Sequence, residues 1–105
     1  MKEITNDNFK TVLEENPLLA VDFWASWCKP CKNLAPVIES LAEEYEDIIT
    51  FAKCNIEDAD EIADEFKIQS IPTIIFFKNG QSVDKISGAV PKATIKEACD
   101  KLLNK

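Results

Sequence analysis

The chain has 105 residues, 46% of them hydrophobic, and its 19 acidic and 12 basic residues leave a net charge of −7. This length and apolar content predict one globular domain over residues 1–105 and exclude a disordered chain. Every basic residue is a lysine, and histidine is absent. Because nucleic acids bind to cationic surfaces, we expect no nucleic-acid partner.

The composition also bears on where the protein works. Residues 1–7 show no apolar signal segment, and no apolar run reaches the ~20 residues of a membrane span. We therefore expect a cytoplasmic protein that does not contact membranes. In a reducing compartment, two closely spaced cysteines are more often catalytic or metal-binding than a permanent crosslink.

The first half of the chain alternates helical and strand patterns. A short helix with apolar residues on one face ends before Pro17. Residues 18–25 are apolar except for Asp22, which predicts a central strand buried on both faces. Residues 48–56 predict a second strand, parallel to the first. The helix between them has the apolar stripe Leu34, Val37, Ile38, Leu41, Ala42 and Tyr45.

The second half continues with a short helix that directs Ile62 and Phe66 inward. Residues 73–78 predict a third strand, and Asn79-Gly80 is a strong signal for a tight hairpin to an edge strand over residues 81–87. The last helix follows Pro91, and its apolar stripe is Ile95, Ala98, Cys99, Leu102 and Leu103. These elements predict an α/β domain whose mixed sheet has helices on both faces.

The segment Cys28-Lys29-Pro30-Cys31 joins the central strand to the long helix. A cysteine at the start of a helix feels the positive end of the helix dipole, which favours the reactive thiolate. Pro30 suits the first helical turn, where its missing N–H has no partner to lose. The alternatives are a structural disulfide or half of a zinc site. A zinc site needs further ligands, but Cys54 and Cys99 are far apart in sequence. We therefore predict no metal site.

Several motifs together resemble the thioredoxin family along the whole chain. They are Val21 to Lys32, Lys53, Ile71-Pro72-Thr73, Phe77-Lys78-Asn79-Gly80 and Gly88-Ala89. The resemblance implies the thioredoxin fold, with about five strands, and a protein-disulfide reductase that needs no bound cofactor. It also implies that Cys28 has an exposed sulfur that attacks the substrate disulfide. Cys31, which is expected to be more buried, then resolves the mixed disulfide and forms a Cys28–Cys31 disulfide.

The resemblance implies roles for three more distant residues. Asp22 is expected to lie buried behind Cys31 and to exchange a proton with it, while Lys53 modulates that carboxylate from the neighbouring strand. The simpler alternative places the Asp22 side chain at the surface. The bond between Ile71 and Pro72 is expected to be cis and close to the cysteines, with the Ile71 backbone pairing with substrate. The alternative is a proline that only begins a strand.

An apolar surface for protein substrates is expected from Trp27, Ile56, Ile71, Pro72, Gly88 and Ala89. Lys29 stands where the common family motif has glycine; we interpret it as solvated and add the hypothesis that its charge stabilises the Cys28 thiolate. We expect Cys54 and Cys99 to pack in the core. The acidic run at residues 57–61 is interpreted as solvated surface.

The expected partners are protein disulfides and a thioredoxin reductase, which the family suggests is a flavoprotein that receives electrons from NADPH or ferredoxin. We expect a monomer. The alternatives are a protein-interaction module without turnover, and an oxidant or isomerase. The direction of net reaction depends on the redox potential, which residue spacing does not determine.

Overall fold

A five-stranded sheet runs through the centre of the computed structural model, which describes residues 1–104. Its strands are β1 (Lys2–Ile4), β2 (Leu18–Trp24), β3 (Thr50–Asn55), β4 (Thr73–Lys78) and β5 (Gln81–Ser87). The helices are α1 (Phe9–Glu15), α2 (Lys29–Glu44), α3 (Asp60–Glu65) and α4 (Lys92–Leu103). The predicted order of elements after residue 8 is confirmed.

The sheet is mixed, in the order β1-β3-β2-β4-β5. Strands β1, β3 and β2 are parallel, whereas β4 is antiparallel to both β2 and β5. Strand β2 therefore occupies the centre, and every residue from Leu19 to Phe23 is buried. This central position explains the almost unbroken apolar run, because a strand covered on both faces has no side that needs polar residues.

Apolar side chains from alternate positions of the strands form two cores, one on each face of the sheet. Helices α2 and α4 cover one face, where the core includes Ala20, Leu34, Ile38, Leu41, Phe76, Ile95 and Leu102. Helices α1 and α3 cover the other, where the core includes Phe9, Val12, Val21, Phe23, Ile62 and Phe77. The prediction of helices on both faces is confirmed.

Two features at the ends of the chain differ from the sequence prediction. Strand β1 was not predicted, because it has three residues and only Ile4 is buried, which leaves no readable pattern. Leu103 was assigned to the buried stripe of α4 but is 38% exposed at the end of that helix. Across residues 1–104, none of the helices is both long and apolar enough to cross a membrane.

The predicted hairpin between β4 and β5 is confirmed, and it lies at the end of the sheet opposite the cysteine pair. Asn79 and Gly80 have φ angles of 52° and 84°, the left-handed backbone that a two-residue hairpin turn requires. The Asn79 N–H donates a hydrogen bond of 2.8 Å to the Pro17 carbonyl, which precedes β2. The turn is therefore fixed to the start of the central strand.

Candidate active site

The cysteine pair lies where β2 passes into α2. Cys28 has extended backbone angles and caps α2, which begins at Lys29. Cys28 and Cys31 form a disulfide, with their Cα atoms 5.3 Å apart. The Cys28 Sγ also accepts a hydrogen bond of 3.2 Å from the Cys31 N–H. That N–H and the helix dipole are the groups that stabilise negative charge on this sulfur when the disulfide opens.

Apolar residues from neighbouring loops cover the disulfide. Cys28 is 5% exposed and Cys31 is 3% exposed, and both pack with Ala25 against Ile56 and Ile71. The expectation that the Cys28 sulfur is exposed is therefore wrong for this oxidised form. The physical reason is that the loops after β3 and before β4 bring Ile56 and Ile71 onto the disulfide.

Asp22 lies in the middle of β2 and is 6% exposed, so the alternative of a surface carboxylate is wrong. Its Oδ1 has no hydrogen-bond partner among the described residues. Burial raises the pKa of Asp22 from 3.8 to about 6, and the nearby positive charge of Lys53 opposes this rise. Lys53 is the register partner of Asp22 on β3, the neighbouring strand on which it was expected to lie.

A cavity of about 100 Å³ joins Asp22 to the cysteine pair. Asp22, Trp24, Cys31 and Lys53 all contribute to its wall. The Lys53 Nζ lies 5.5 Å from the centre of the Trp24 ring and 3.8 Å from a carboxylate oxygen of Glu3. The cavity therefore has a carboxyl group, a cation and the deeper cysteine on its surface.

The bond between Ile71 and Pro72 is cis, as expected. Ile71 packs against the cysteines, but Pro72 is buried and does not belong to an exposed apolar surface. Its carbonyl accepts a hydrogen bond of 2.8 Å from the Gly88 N–H, which brings the start of the last loop beside the site. Pro72 lies inside because it enters β4, whose residues Thr73 to Phe77 are all buried.

The other residues of the expected substrate surface remain accessible. Trp27 is 68% exposed and Ala89 is exposed, while Ile56, Ile71 and Gly88 are half-buried. A shallow groove of about 80 Å³ lies beside the disulfide, lined by Trp27, Ile56, Ile68, Gln69, Ser70 and Ile71. Sequence reasoning missed residues 68–70, because nothing in their local pattern indicates that they lie next to Trp27.

Comparisons with known proteins agree with this geometry. A family model described as Thioredoxin matches residues 1–101. A chloroplastic M-type thioredoxin of Chlamydomonas reinhardtii is 46% identical over 102 residues, which cover 96% of this chain and 73% of the relative. The thioredoxin of Porphyra purpurea is 43% identical over 105 residues, covering 99% of this chain and 98% of the relative. The chain belongs to the thioredoxin family.

The fold is confirmed by a solved structure of a Plasmodium falciparum thioredoxin, with a TM-score of 0.89 and 34% identity over 96% of this chain and 98% of that one. Family membership and the Cys28–Cys31 disulfide together identify a thiol–disulfide reductase. The alternative of an interaction module without turnover is not favoured. Disulfide substrates and an electron-donating reductase follow for the family in general.

Sequence reasoning also missed a contact between two loops at the active site. One carboxylate oxygen of Glu57 accepts hydrogen bonds from the Ser26 N–H (2.9 Å) and from the Ser26 hydroxyl (2.7 Å). These bonds lower the pKa of Glu57 and connect the loop after β3 to the segment that carries Cys28. Glu57 was interpreted as one of several solvated acids, and its partner is 31 residues away in sequence.

The remaining cysteines are structural, as expected. Cys54 and Cys99 are fully buried free thiols, and burial raises the pKa of each to about 12. A thiol with such a pKa is not a nucleophile at neutral pH. Within residues 1–104, no three cysteine, aspartate or glutamate side chains form a group that could hold a metal ion.

Proposed function

We propose that Cys28 is the attacking sulfur of this disulfide reductase and that Cys31 is the resolving one. The observation that carries this assignment is the position of Cys28 at the cap of α2, with the Cys31 N–H directed at its sulfur. That position stabilises a thiolate on Cys28. Cys31 lies within the helix and lines the cavity of Asp22, which suits a thiol that loses its proton later.

In the proposed cycle, the Cys28 thiolate attacks one sulfur of the substrate disulfide, and the other leaves as a thiolate that takes up a proton. The Cys31 thiol transfers its proton to the Asp22 carboxylate and attacks the Cys28 Sγ. The second substrate sulfur then leaves, and the Cys28–Cys31 disulfide forms. The dithiol has given two electrons to the substrate. A thioredoxin reductase returns them.

We further propose that Asp22 is the proton acceptor and that Lys53 adjusts its affinity for the proton. A pKa of about 6 supports this role, because an acid–base group works best when its pKa is close to the ambient pH. Lys53 supports it as well, because its positive charge favours the carboxylate form. Pro30 and Lys29 shape the first turn of the helix beside the dithiol.

The proposed substrate surface consists of Trp27, Ile56, Ile71, Gly88 and Ala89, together with the shallow groove next to Trp27. Its support is the combination of an exposed tryptophan with half-buried apolar side chains directly beside the disulfide. An extended substrate segment would add to the backbone at Ile71 in the manner of an additional strand. Pro72 lies beneath this surface and holds the backbone at Ile71 in place.

We propose a monomer that works in a reducing cytoplasm. Free buried thiols at Cys54 and Cys99 support a reducing compartment, since neither is used for a permanent crosslink. Three relatives, including the one from Chlamydomonas reinhardtii, are described as chloroplastic, so the cytoplasmic location stays a prediction. Fractionation of the source cells tests the compartment, and sedimentation of the purified protein tests the monomer.

The assignment of the two cysteines is tested by insulin reduction in the presence of dithiothreitol. Cys28→Ser should abolish the acceleration, whereas Cys31→Ser should accumulate a mixed disulfide that is visible by mass spectrometry. Cys99→Ala is the matched control and should keep the activity. A mixed disulfide on Cys31 in the Cys28→Ser variant, formed as readily as on Cys28, would contradict the assignment.

A further inference from the structure

A row of side chains on one face of α2 leads from the resolving cysteine towards the protein surface. Cys31, Ala35 and Glu39 follow one another at intervals of four residues, so they lie along the same side of the helix. All three line the cavity of about 100 Å³ that holds Asp22. The small alanine in the middle leaves the space between the helix and the sheet open.

A larger groove of about 500 Å³ lies beside this cavity, and Ala42, Glu43 and Glu46 contribute to its wall. Three residues line both spaces: Met1, Glu39 and Lys53. These three residues therefore lie at the boundary between the cavity of Asp22 and the outer groove.

A proton on Asp22 has to reach solvent if Asp22 serves Cys31 in every cycle, and this boundary is a route out of the cavity. Asp22 is 6% exposed, and its Oδ1 has no hydrogen-bond partner among residues 1–104. Of the three boundary residues, Glu39 is the one with a carboxylate side chain. A carboxylate is suited to take a proton from another carboxyl group and to pass it on.

We infer that Glu39 is the group through which Asp22 exchanges its proton with solvent. This inference rests on the proposed role of Asp22. The Cys31 proton moves to Asp22 as the Cys31 sulfur attacks, and it then crosses the cavity to Glu39 through water, for which a space of about 100 Å³ has room. Glu39 releases the proton to the outer groove, and the departing substrate thiolate takes one from solvent.

Glu39 does not touch the reacting sulfurs and acts only through Asp22. Other charged groups face the same spaces: Lys32 and Lys53 line the cavity, and Glu43 and Glu46 line the groove. Removing the charge of Glu39 therefore also changes the electric field at Asp22. The test has to show whether Glu39 carries protons or acts only through its charge. The dependence of the rate on buffer concentration distinguishes the two, because buffer can replace a proton carrier but not a fixed charge.

The experiment follows the reduced protein reacting with the chromogenic disulfide dithiobis-nitrobenzoate in stopped flow. The first released thiolate reports attack by Cys28, and the second reports attack by Cys31. In dilute buffer at pH 5.5, most Asp22 side chains start protonated because the pKa of Asp22 is about 6, so Asp22 must release its proton before it can accept the one from Cys31. Under these conditions Glu39→Gln should slow the second phase about fivefold and leave the first phase unchanged, which is a modest share of the effect usual for proton-transfer groups. Concentrated imidazole buffer should restore the second phase.

Glu43→Gln is the matched control, because Glu43 lies one turn further along the same helix and lines the outer groove only. It removes the same charge and should leave both phases unchanged. Equal rates in the two variants, or slowing of Glu39→Gln that imidazole does not restore, would overturn the inference. Asp22→Asn tests the underlying role separately: if it leaves the second phase unchanged, the proposed function of Asp22 itself fails.

Discussion

The polar groups near the two ends of α2 differ in whether they have hydrogen-bond or ion-pair partners. At its C-terminal end, Glu44 forms ion pairs with Lys92 and Lys96 of α4. Next to it, the Tyr45 hydroxyl donates to Asp100 at 2.6 Å and accepts from Lys96 at 3.1 Å. At the N-terminal end, in contrast, the buried Asp22 Oδ1 has no partner among the described residues.

The charged residues at the two ends of α2 also differ in whether they form ion pairs. Its first turn carries Lys29 and Lys32 and no acid, and its last turn carries no base, an arrangement that opposes the helix dipole. Neither lysine forms an ion pair within residues 1–104. The Tyr45 hydroxyl is therefore satisfied where α2 is only packed, whereas Asp22 Oδ1 beside the cysteine pair has no partner among the described residues, a departure from full satisfaction that is typical of functional sites.

Replacing the Asp22 carboxyl group is expected to change the free energy of unfolding more than any other substitution proposed for this comparison. The folded pKa of Asp22, about 6, lies above the ordinary 3.8, so the folded state binds its proton more tightly than the unfolded chain does. The resulting stabilisation is complete below pH 3.8 and is lost as the pH rises through 6. Asp22→Asn should therefore raise the free energy of unfolding at pH 7 by up to about 3 kcal/mol.

Urea denaturation of Asp22→Asn and the natural protein at pH 7 and near pH 3.5 measures this difference. The variant should gain stability at the higher pH only, while its release of mixed disulfide becomes slower. A variant that is less stable than the natural protein at pH 7 would show that the carboxylate has compensating interactions.

Removing a polar group that has hydrogen-bond partners should lower the free energy of unfolding, and by less than Asp22→Asn raises it. Tyr45→Phe leaves the ring in the core but deletes the hydroxyl between Asp100 and Lys96, which should cost about 1 kcal/mol at neutral pH. Insulin reduction should not change, because this cluster is at the end of α2 away from the disulfide.

Chemical denaturation checks the cost, and Lys101→Ala is a suitable control. Lys101 pairs with Glu97 at 3.8 Å on the exposed face of α4, where such a pair contributes little. If Tyr45→Phe lowers the free energy of unfolding no more than Lys101→Ala does, the hydrogen bonds of the Tyr45 hydroxyl do not stabilise the C-terminal end of α2.

The smallest expected effect concerns Lys29. If its charge stabilises the neighbouring thiolate, Lys29→Gly should raise the pKa of the Cys28 thiol in the reduced protein only slightly, since solvent screens an exposed charge strongly. Lys29→Arg keeps the charge and should behave like the natural protein. The rate of alkylation by iodoacetamide as a function of pH measures both, and an unchanged pKa in Lys29→Gly rules the hypothesis out.

Most of the helices and strands could be predicted from local sequence patterns. The apolar run around Asp22 predicted the central strand, the helical spacing of apolar residues from Leu34 to Tyr45 predicted α2, and Asn79-Gly80 predicted the hairpin. Strand β1 escaped prediction because its three residues are stabilised by pairing with β3 and not by a pattern of their own. The site was predicted from the resemblance to the thioredoxin family, which pointed to the cysteines, Asp22, Lys53 and a cis Ile71–Pro72 bond.

The sequence by itself determined the elements, the redox chemistry and the family, because these depend on the order and spacing of residues along the chain. Only the tertiary structure decided how the site is enclosed. It buried Cys28 under Ile56 and Ile71, placed Pro72 below the surface, and joined Glu57 to Ser26. It also aligned Glu39 with the cavity of Asp22. These outcomes depend on contacts between segments distant in sequence, and no local pattern records which segments will meet.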